Sequence, residues 1–200
     1  MANLKNKKIR MIKVFIEDKE YQEIDFTLES LKIGNYENCV FNNCNFSSCN
    51  LSEIVFTDCE FEDCDLSMIE LDKTAFRNIN FKTSKLFGVQ FENVNELMLS
   101  MNFNECQLNF SSFNKLNLRL TNFKNCNLQE VDFSEADLTK LVFDNCDLSG
   151  VTFEQTILEE VDFRTSKNYI IDPEINRIRK AKFSIDGIGG LLSKYGIEVE

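Results

Sequence analysis

From Phe123 to Leu148 the chain reads FKNCNLQEVDFSEADLTKLVFDNCDL, and every fifth residue is Phe or Leu: Phe123, Leu128, Phe133, Leu138, Phe143, Leu148. Working outward, the same beat reaches back to Phe103 and on to Phe163. An earlier run holds it from Phe41 to Phe91, and the phase slips by two residues across 93–101. Phe and Leu make up about a fifth of the chain, so twenty-four consecutive hits are not chance. A second series lies two residues earlier. It includes Cys39, Cys44, Cys49, Ile54, Cys59 and Cys64 in the first run, then Cys106, Cys126, Val131, Ala136 and Cys146, and it takes in all eight cysteines. The residues between are mostly Asn, Asp, Ser, Glu and Lys.

A period of five matches neither the 3.6 of an α-helix nor the 2 of a flat strand. Two inward residues in five suit a coil whose short straight sides meet at corners. Stacked coils would share backbone hydrogen bonds at about 4.8 Å. One repeat cannot bury its own Phe, so the object must be a solenoid. In the second run Phe and Leu alternate, and Cys106, Cys126 and Cys146 recur at twenty residues. Twenty residues per coil predicts four sides, two opposite sides lined by Phe and two by Leu.

Units such as Ala136-Asp137-Leu138-Thr139-Lys140 and Cys126-Asn127-Leu128-Gln129-Glu130 resemble the A(D/N)LXX unit of pentapeptide-repeat proteins, over residues 21–184. The resemblance implies an all-β, right-handed quadrilateral β-helix. The handedness comes from the resemblance alone.

The frame extends back to Tyr21, where the first coil is expected to start, leaving residues 1–20 as a short strand or a mobile arm. It extends forward to Phe183, so 164–184 reads as one irregular last coil. Beyond it, Asp186 is placed to cap a short helix carrying Ile188, Leu191, Leu192 and Tyr195. Gly196 stops that helix, and Ile197-Glu198-Val199-Glu200 alternates like an edge strand. Residues 185–200 thus read as a cap. Their layout is similar to that of the Qnr-type and MfpA-type quinolone-resistance members of the family. This implies a C2 homodimer with Ile188, Leu191, Leu192, Tyr195 and Ile197 in the joint. The projecting loops of Qnr-type members have no counterpart in a two-residue slip.

Apolar residues at 43% and charged residues at 28% describe a folded chain. With no His, the commonest general base is missing, and no P-loop, Gly-rich dinucleotide motif or nucleophile elbow is present. Glu60, Glu62, Asp63 and Asp65 flank the inward Phe61 and read as a solvated face, not a carboxylate pair. The cysteines read as reduced, small fillers beside Phe, with no metal or cofactor called for. An enzyme is not expected.

The net charge of −11 argues against nucleic acid or an anionic membrane as partner. No apolar run approaches the roughly 18 residues of a membrane span, and a cytoplasmic protein is expected. Residues 21–165 carry −15 over about 34 Å of rod. That is about one charge per 2.3 Å, against one per roughly 1.7 Å of duplex DNA. The charge is banded: −11 on 21–72, +4 on 73–124 and −8 on 125–165. A few outward positions are apolar, Met68, Phe87, Phe110 and Leu120, and are candidate partner contacts. The resemblance implies an acidic dimeric rod that mimics DNA and modulates a type II topoisomerase (DNA gyrase), giving quinolone resistance. The alternative is a scaffold solenoid that touches no topoisomerase.

Overall fold

A computed structural model describes residues 13–197 as a parallel, four-sided β-solenoid. Its strands are short: β1 (Val14–Glu17), β2 (Glu20–Gln22), β3 (Gly34–Glu37), β4 (Val40–Asn42), β5 (Val55–Thr57), β6 (Glu60–Glu62), β7 (Ala75–Arg77), β8 (Ile79–Lys82), β9 (Met101–Asn104), β10 (Asn122–Lys124) and β11 (Phe143–Asp144). One sheet runs β1-β3-β5-β7 and another β11-β10-β9-β8-β6-β4-β2. Every pairing is parallel, at a register of twenty residues (Phe41 opposite Phe61, Phe103 opposite Phe123). Across the phase slip the register is twenty-two, with Phe81 opposite Phe103.

The four sides follow from the five-residue beat. Side one carries Tyr36, Phe56 and Phe76, then Leu118, Leu138 and Leu158. Side two carries Tyr21, Phe41, Phe61, Phe81, Phe103, Phe123, Phe143, Phe163 and Phe183. Side three begins with Phe26 and Phe46 and continues as Leu66, Leu86, Leu108, Leu128 and Leu148. Side four begins with Leu31, Leu51 and Leu71 and continues as Phe91, Phe113, Phe133 and Phe153. On side two the rings stack face to face, Phe41 on Phe61 at 4.8 Å and Phe103 on Phe123 at 5.1 Å. The opposite-side arrangement of Phe holds only after the slip. Before it, the second aromatic column is on the adjacent side one, so Phe76 meets Phe81 edge-on at 5.7 Å. After it, Phe113 meets Phe123 edge-on at 5.7 Å from across the coil. Either way each ring has stacked neighbours along the rod and T-shaped ones across it, the two favoured aromatic geometries.

The polar positions have structural work. The Asp or Asn before the central residue accepts a backbone N–H two residues on: Asp65 from Ser67, Asp132 from Ser134 and Asp137 from Thr139, at 2.8–3.0 Å. This Asx turn holds the corner. Two residues after the central position the backbone is left-handed, for example Asn43 (φ 50°), Asp63 (φ 53°) and Asn145 (φ 53°). The inward thiols and hydroxyls two residues before the centre donate to carbonyls of the coil below: Cys64 Sγ to Phe41 O at 3.3 Å, Ser111 Oγ to Leu86 O at 2.7 Å and Thr156 Oγ1 to Phe133 O at 3.0 Å. Small donors suit this position because a corner carbonyl there needs a partner.

Both ends differ from the sequence expectation. The solenoid starts before Tyr21, since β1 already pairs with β3, Val14 opposite Gly34. Residues 1–12, part of the expected arm, lie outside the described residues. In the last coil the side-three position is filled by Tyr169, one residue late. Asn168 takes a left-handed conformation (φ 63°) and its neighbour Tyr169 is buried. Phe183 still stacks on Phe163, at 5.4 Å.

The tail is not an α-helix capped by Asp186. It forms two 3₁₀ turns, Ile188–Leu191 and Ser193–Tyr195, and the first starts at Gly187 with no side-chain cap. The glycines explain the difference. A Cβ at Gly187 would collide with the Tyr169 phenol, and one at Gly190 with the Tyr169 carbonyl. The tail therefore lies flat on Tyr169, and Ile171 N–H donates to Gly190 O at 3.1 Å. The expected edge strand at 197–200 lies almost wholly outside the described residues. Among the described residues no helix is long and apolar enough to cross a membrane.

Candidate functional site

Surface, not cavity, is where this molecule departs from its repeat. Corner positions in the left-handed region favour Asn, Asp or Gly. Met68 (φ 56°) and Phe110 (φ 62°) occupy such corners and are 61% and 55% exposed. They follow one another along one edge of the rod with Gly88 (φ 64°) between them. The absent Cβ of Gly88 leaves room for Met68, whose Sδ would lie 2.5 Å from it. Phe87 sits beside Gly88 but is half-buried, so it contributes less surface than its outward repeat position predicted. Its carbonyl accepts Met68 N–H at 2.8 Å. Three of the four expected contact residues, Met68, Phe87 and Phe110, thus share one edge.

Leu120, the fourth, belongs to a different surface. The two residues added at the phase slip are accommodated on side one. Leu99 turns inward and is buried, while Leu97 and Met98 are extruded, 64% and 69% exposed. Leu120, 67% exposed, lines the same hollow as Met98. Two shallow hollows flank this cluster. One of about 440 Å³ is lined by Glu96, Met98, Leu99, Asn117, Arg119 and Leu120. The other, about 420 Å³, includes Thr57, Arg77, Ser100 and the same Met98 and Leu120. Sequence reasoning missed Leu97 and Met98. The slip itself was the signal, because two surplus residues in a filled coil have nowhere to go but out.

Three of the seven cations of the 73–124 belt are matched by carboxylates of adjoining coils. Lys82 lies 2.6 Å from Glu60, Arg119 2.6 Å from Asp137 and Lys115 3.5 Å from Glu135. Glu62 accepts from Asn42 at 3.4 Å and Asp65 holds its own corner, so these acids serve the solenoid. Among the described residues no three His, Cys, Asp or Glu are grouped to hold a metal. All eight cysteines are free and buried. Burial pushes the Cys59 and Cys64 thiols up to about 12.

At the C-terminal end Leu191 packs on the core and Leu192 is half-buried, while Ile188, Tyr195 and Ile197 are exposed. The tail is tied to its own last coil. Lys194 Nζ reaches Asp172 and Glu174, each at 2.7 Å, and the Tyr195 hydroxyl donates to Glu174 at 3.0 Å.

Two family models match the chain. One, described as a pentapeptide repeat region, covers residues 84–163, and the other, pentapeptide repeats (8 copies), covers residues 37–78. No curated protein is a sequence match. Among solved structures, HetL, a pentapeptide repeat protein involved in heterocyst differentiation regulation from the cyanobacterium Nostoc sp. strain PCC 7120, is similar at a TM-score of 0.59. It is 13% identical, over 87% of this chain and 88% of that one. Trypsin-treated QnrB1, a plasmid-mediated fluoroquinolone resistance protein, is similar at a TM-score of 0.43. It is 19% identical, over 94% and 98% of the two chains. Below 25% identity such likeness speaks to fold alone.

Proposed function

Since the chain belongs to the pentapeptide-repeat family, we propose that it is a non-enzymatic binding protein that works in the cytoplasm. It would act as an acidic rod, paired with a second copy through its C-terminal tail, that engages a protein partner along its sides. A type II topoisomerase is the partner that the family resemblance favours, met by a rod standing where duplex DNA would lie. The observation that carries the binding reading is the pairing of an acidic outer surface with two exposed apolar clusters, Met68–Phe110 and Leu97–Met98–Leu120. Bulky apolar side chains at left-handed, solvent-facing corners stabilise nothing in the solenoid itself, which is how a contact surface looks. A rod this acidic repels nucleic acid, so the contact is with protein.

A supercoiling assay with purified gyrase, with and without a quinolone, tests the partner. Inhibition of supercoiling, or protection from the drug, is the expected result, and weakening of either by Phe110→Asn and Leu120→Asn would assign it to these clusters. Phe110→Asn should leave stability unchanged or raised by up to about 1 kcal/mol, because Asn tolerates a left-handed corner better than Phe.

One observation favours a scaffold solenoid with no topoisomerase contact. The belt at 73–124 carries +4 between stretches of −11 and −8, so the charge is banded where that of DNA is uniform. No effect on gyrase in either assay would leave that second reading.

A further inference from the structure

On side one the backbone ladder breaks at the phase slip. Below, the slipped coil is joined to its neighbour, Asn95 N–H donating to Thr74 O at 2.8 Å and Ser100 N–H to Phe76 O at 3.1 Å. One coil above, the ladder is whole again. Leu118 N–H donates to Asp137 O, Asp137 N–H to Leu116 O and Lys140 N–H to Glu159 O, each at 2.9 Å. Between 94–100 and 116–120 no backbone hydrogen bond is made among the described residues. The bond that crosses there is from a side chain, Ser100 Oγ to Leu120 O at 3.2 Å. The Asn117 and Leu120 N–H groups thus lack the partners that Asp137 and Lys140 have one coil on, and the carbonyls of Leu97 and Leu99 on the facing edge accept no backbone donor. Thr121 marks the same break from inside. It is 2% exposed and its Oγ1 has no partner among the described residues. Cys59, at the equivalent place in its own coil, donates to Tyr36 O of the coil below at 3.4 Å. For Thr121 the equivalent carbonyl belongs to the slipped segment.

The chemistry of the gap selects its occupant. An open ladder offers backbone donors on one edge and acceptors on the other. An extended polypeptide main chain satisfies both, which an ion does not. Leu97, Met98 and Leu120 stand exposed beside the gap, and the buried Leu99 lies on the floor of the 440 Å³ hollow. Each flanking hollow is lined by one carboxylate and one cation, Glu96 with Arg119 and Asp58 with Arg77. The charge is balanced, so the segment that fits is apolar and carries little net charge. Main-chain hydrogen bonds with pockets for alternate side chains are the terms of recognition by strand addition.

We infer that the slip on side one is a strand-addition site, taking an extended, apolar, weakly charged segment of a protein partner. This rests on the reading above of the chain as a protein-binding solenoid and does not require the partner to be a topoisomerase.

Amide exchange of the full chain, read residue by residue, tests the open ladder. Asn117 and Leu120 should exchange at least about tenfold faster than Asp137 and Lys140. Equal rates would overturn the inference. Protection at Asn117 and Leu120 that appears on raising the protein concentration alone would overturn it in favour of a second copy. A random-peptide phage library selected on the immobilised full chain then supplies the probe. Enriched sequences should alternate apolar residues. The synthetic peptide should slow exchange at Asn117 and Leu120 several-fold, and N-methylation of its backbone should weaken binding about tenfold, since it removes a ladder donor as Pro does. Met98→Asn and Leu120→Asn should weaken binding, and Phe110→Asn should not. No enriched sequence, or binding that survives N-methylation, would overturn strand addition. A peptide held here by a chain with no effect on gyrase would remove the topoisomerase reading and leave this one standing.

Discussion

Phe133 is fully buried, stacked between Phe113 at 5.2 Å and Phe153 at 5.8 Å and met edge-on by Phe123 and Phe143. Each neighbour is held by its own coil, so the space left by Phe133→Ala cannot close, and the expected loss is about 3–5 kcal/mol. Two residues away Glu135 is exposed, and its pairing with Lys115 at 3.5 Å joins two solvated groups. Glu135→Ala should therefore cost under about 0.5 kcal/mol. Urea unfolding of the two variants measures both, and equal losses would contradict the inward–outward assignment. The thiols give a second residue-scale expectation. With Cys59 and Cys64 raised to about 12 by burial, almost no thiolate is present at these two positions at neutral pH, and all eight thiols are buried. A thiol reagent without denaturant should label the chain slowly, at a rate set by opening of the coils. Fast labelling of the native protein would refute this. Sequence reasoning placed these cysteines inside but took them for apolar fillers. That Cys59 also donates to Tyr36 O and Cys64 to Phe41 O depends on a coil twenty-three residues away, invisible in local spacing.

The corner is the element that repeats. Asp162 shows what it contributes, with Oδ1 accepting the Arg164 N–H at 3.1 Å and Oδ2 taking Arg164 Nη2 at 2.7 Å. The hydrogen bonds from Arg164 hold its carboxyl down to about 2, below the ordinary 3.8. A carboxyl depressed in the folded state stabilises the fold above its unfolded pKa and loses that contribution as pH falls through the folded value. The native chain should therefore lose stability between about pH 4 and pH 2 relative to Asp162→Asn. Thermal melts of both proteins across that window measure the difference, and a gap independent of pH would count against the charged corner. The Asp and Asn positions were legible as outward and polar. Their turn-closing role was not, because an Asx bond is a property of backbone angles. The phase slip was legible as two extra residues, but side one and the extrusion of Leu97 and Met98 depend on which corner yields.

At the scale of the whole molecule, assembly is the testable quantity. Residues 185–197 cover Tyr169 and Ile171 and present Ile188, Tyr195 and Ile197 outward. If these join two copies, the particle is a rod of roughly 70–80 Å. The full chain should sediment as a dimer at micromolar concentration, and removal of 185–200 should give a monomer or an aggregate through the uncovered coil. A full-length monomer would refute the joint and weaken the topoisomerase reading, which needs a long two-armed rod. The five-residue recurrence by itself determined the solenoid, its four sides and its core, because a Phe every five residues has no burial except against another coil. The tertiary structure alone decided the rest. Phe76 meets Phe81 from the neighbouring side, whereas Phe113 meets Phe123 from across the coil. Met68 stands on one edge with Phe110, and Leu120 on another face with Met98. The physical reason is that a two-residue insertion leaves the local beat intact while changing the coil-to-coil register from twenty to twenty-two, and neighbours across coils are set by that register.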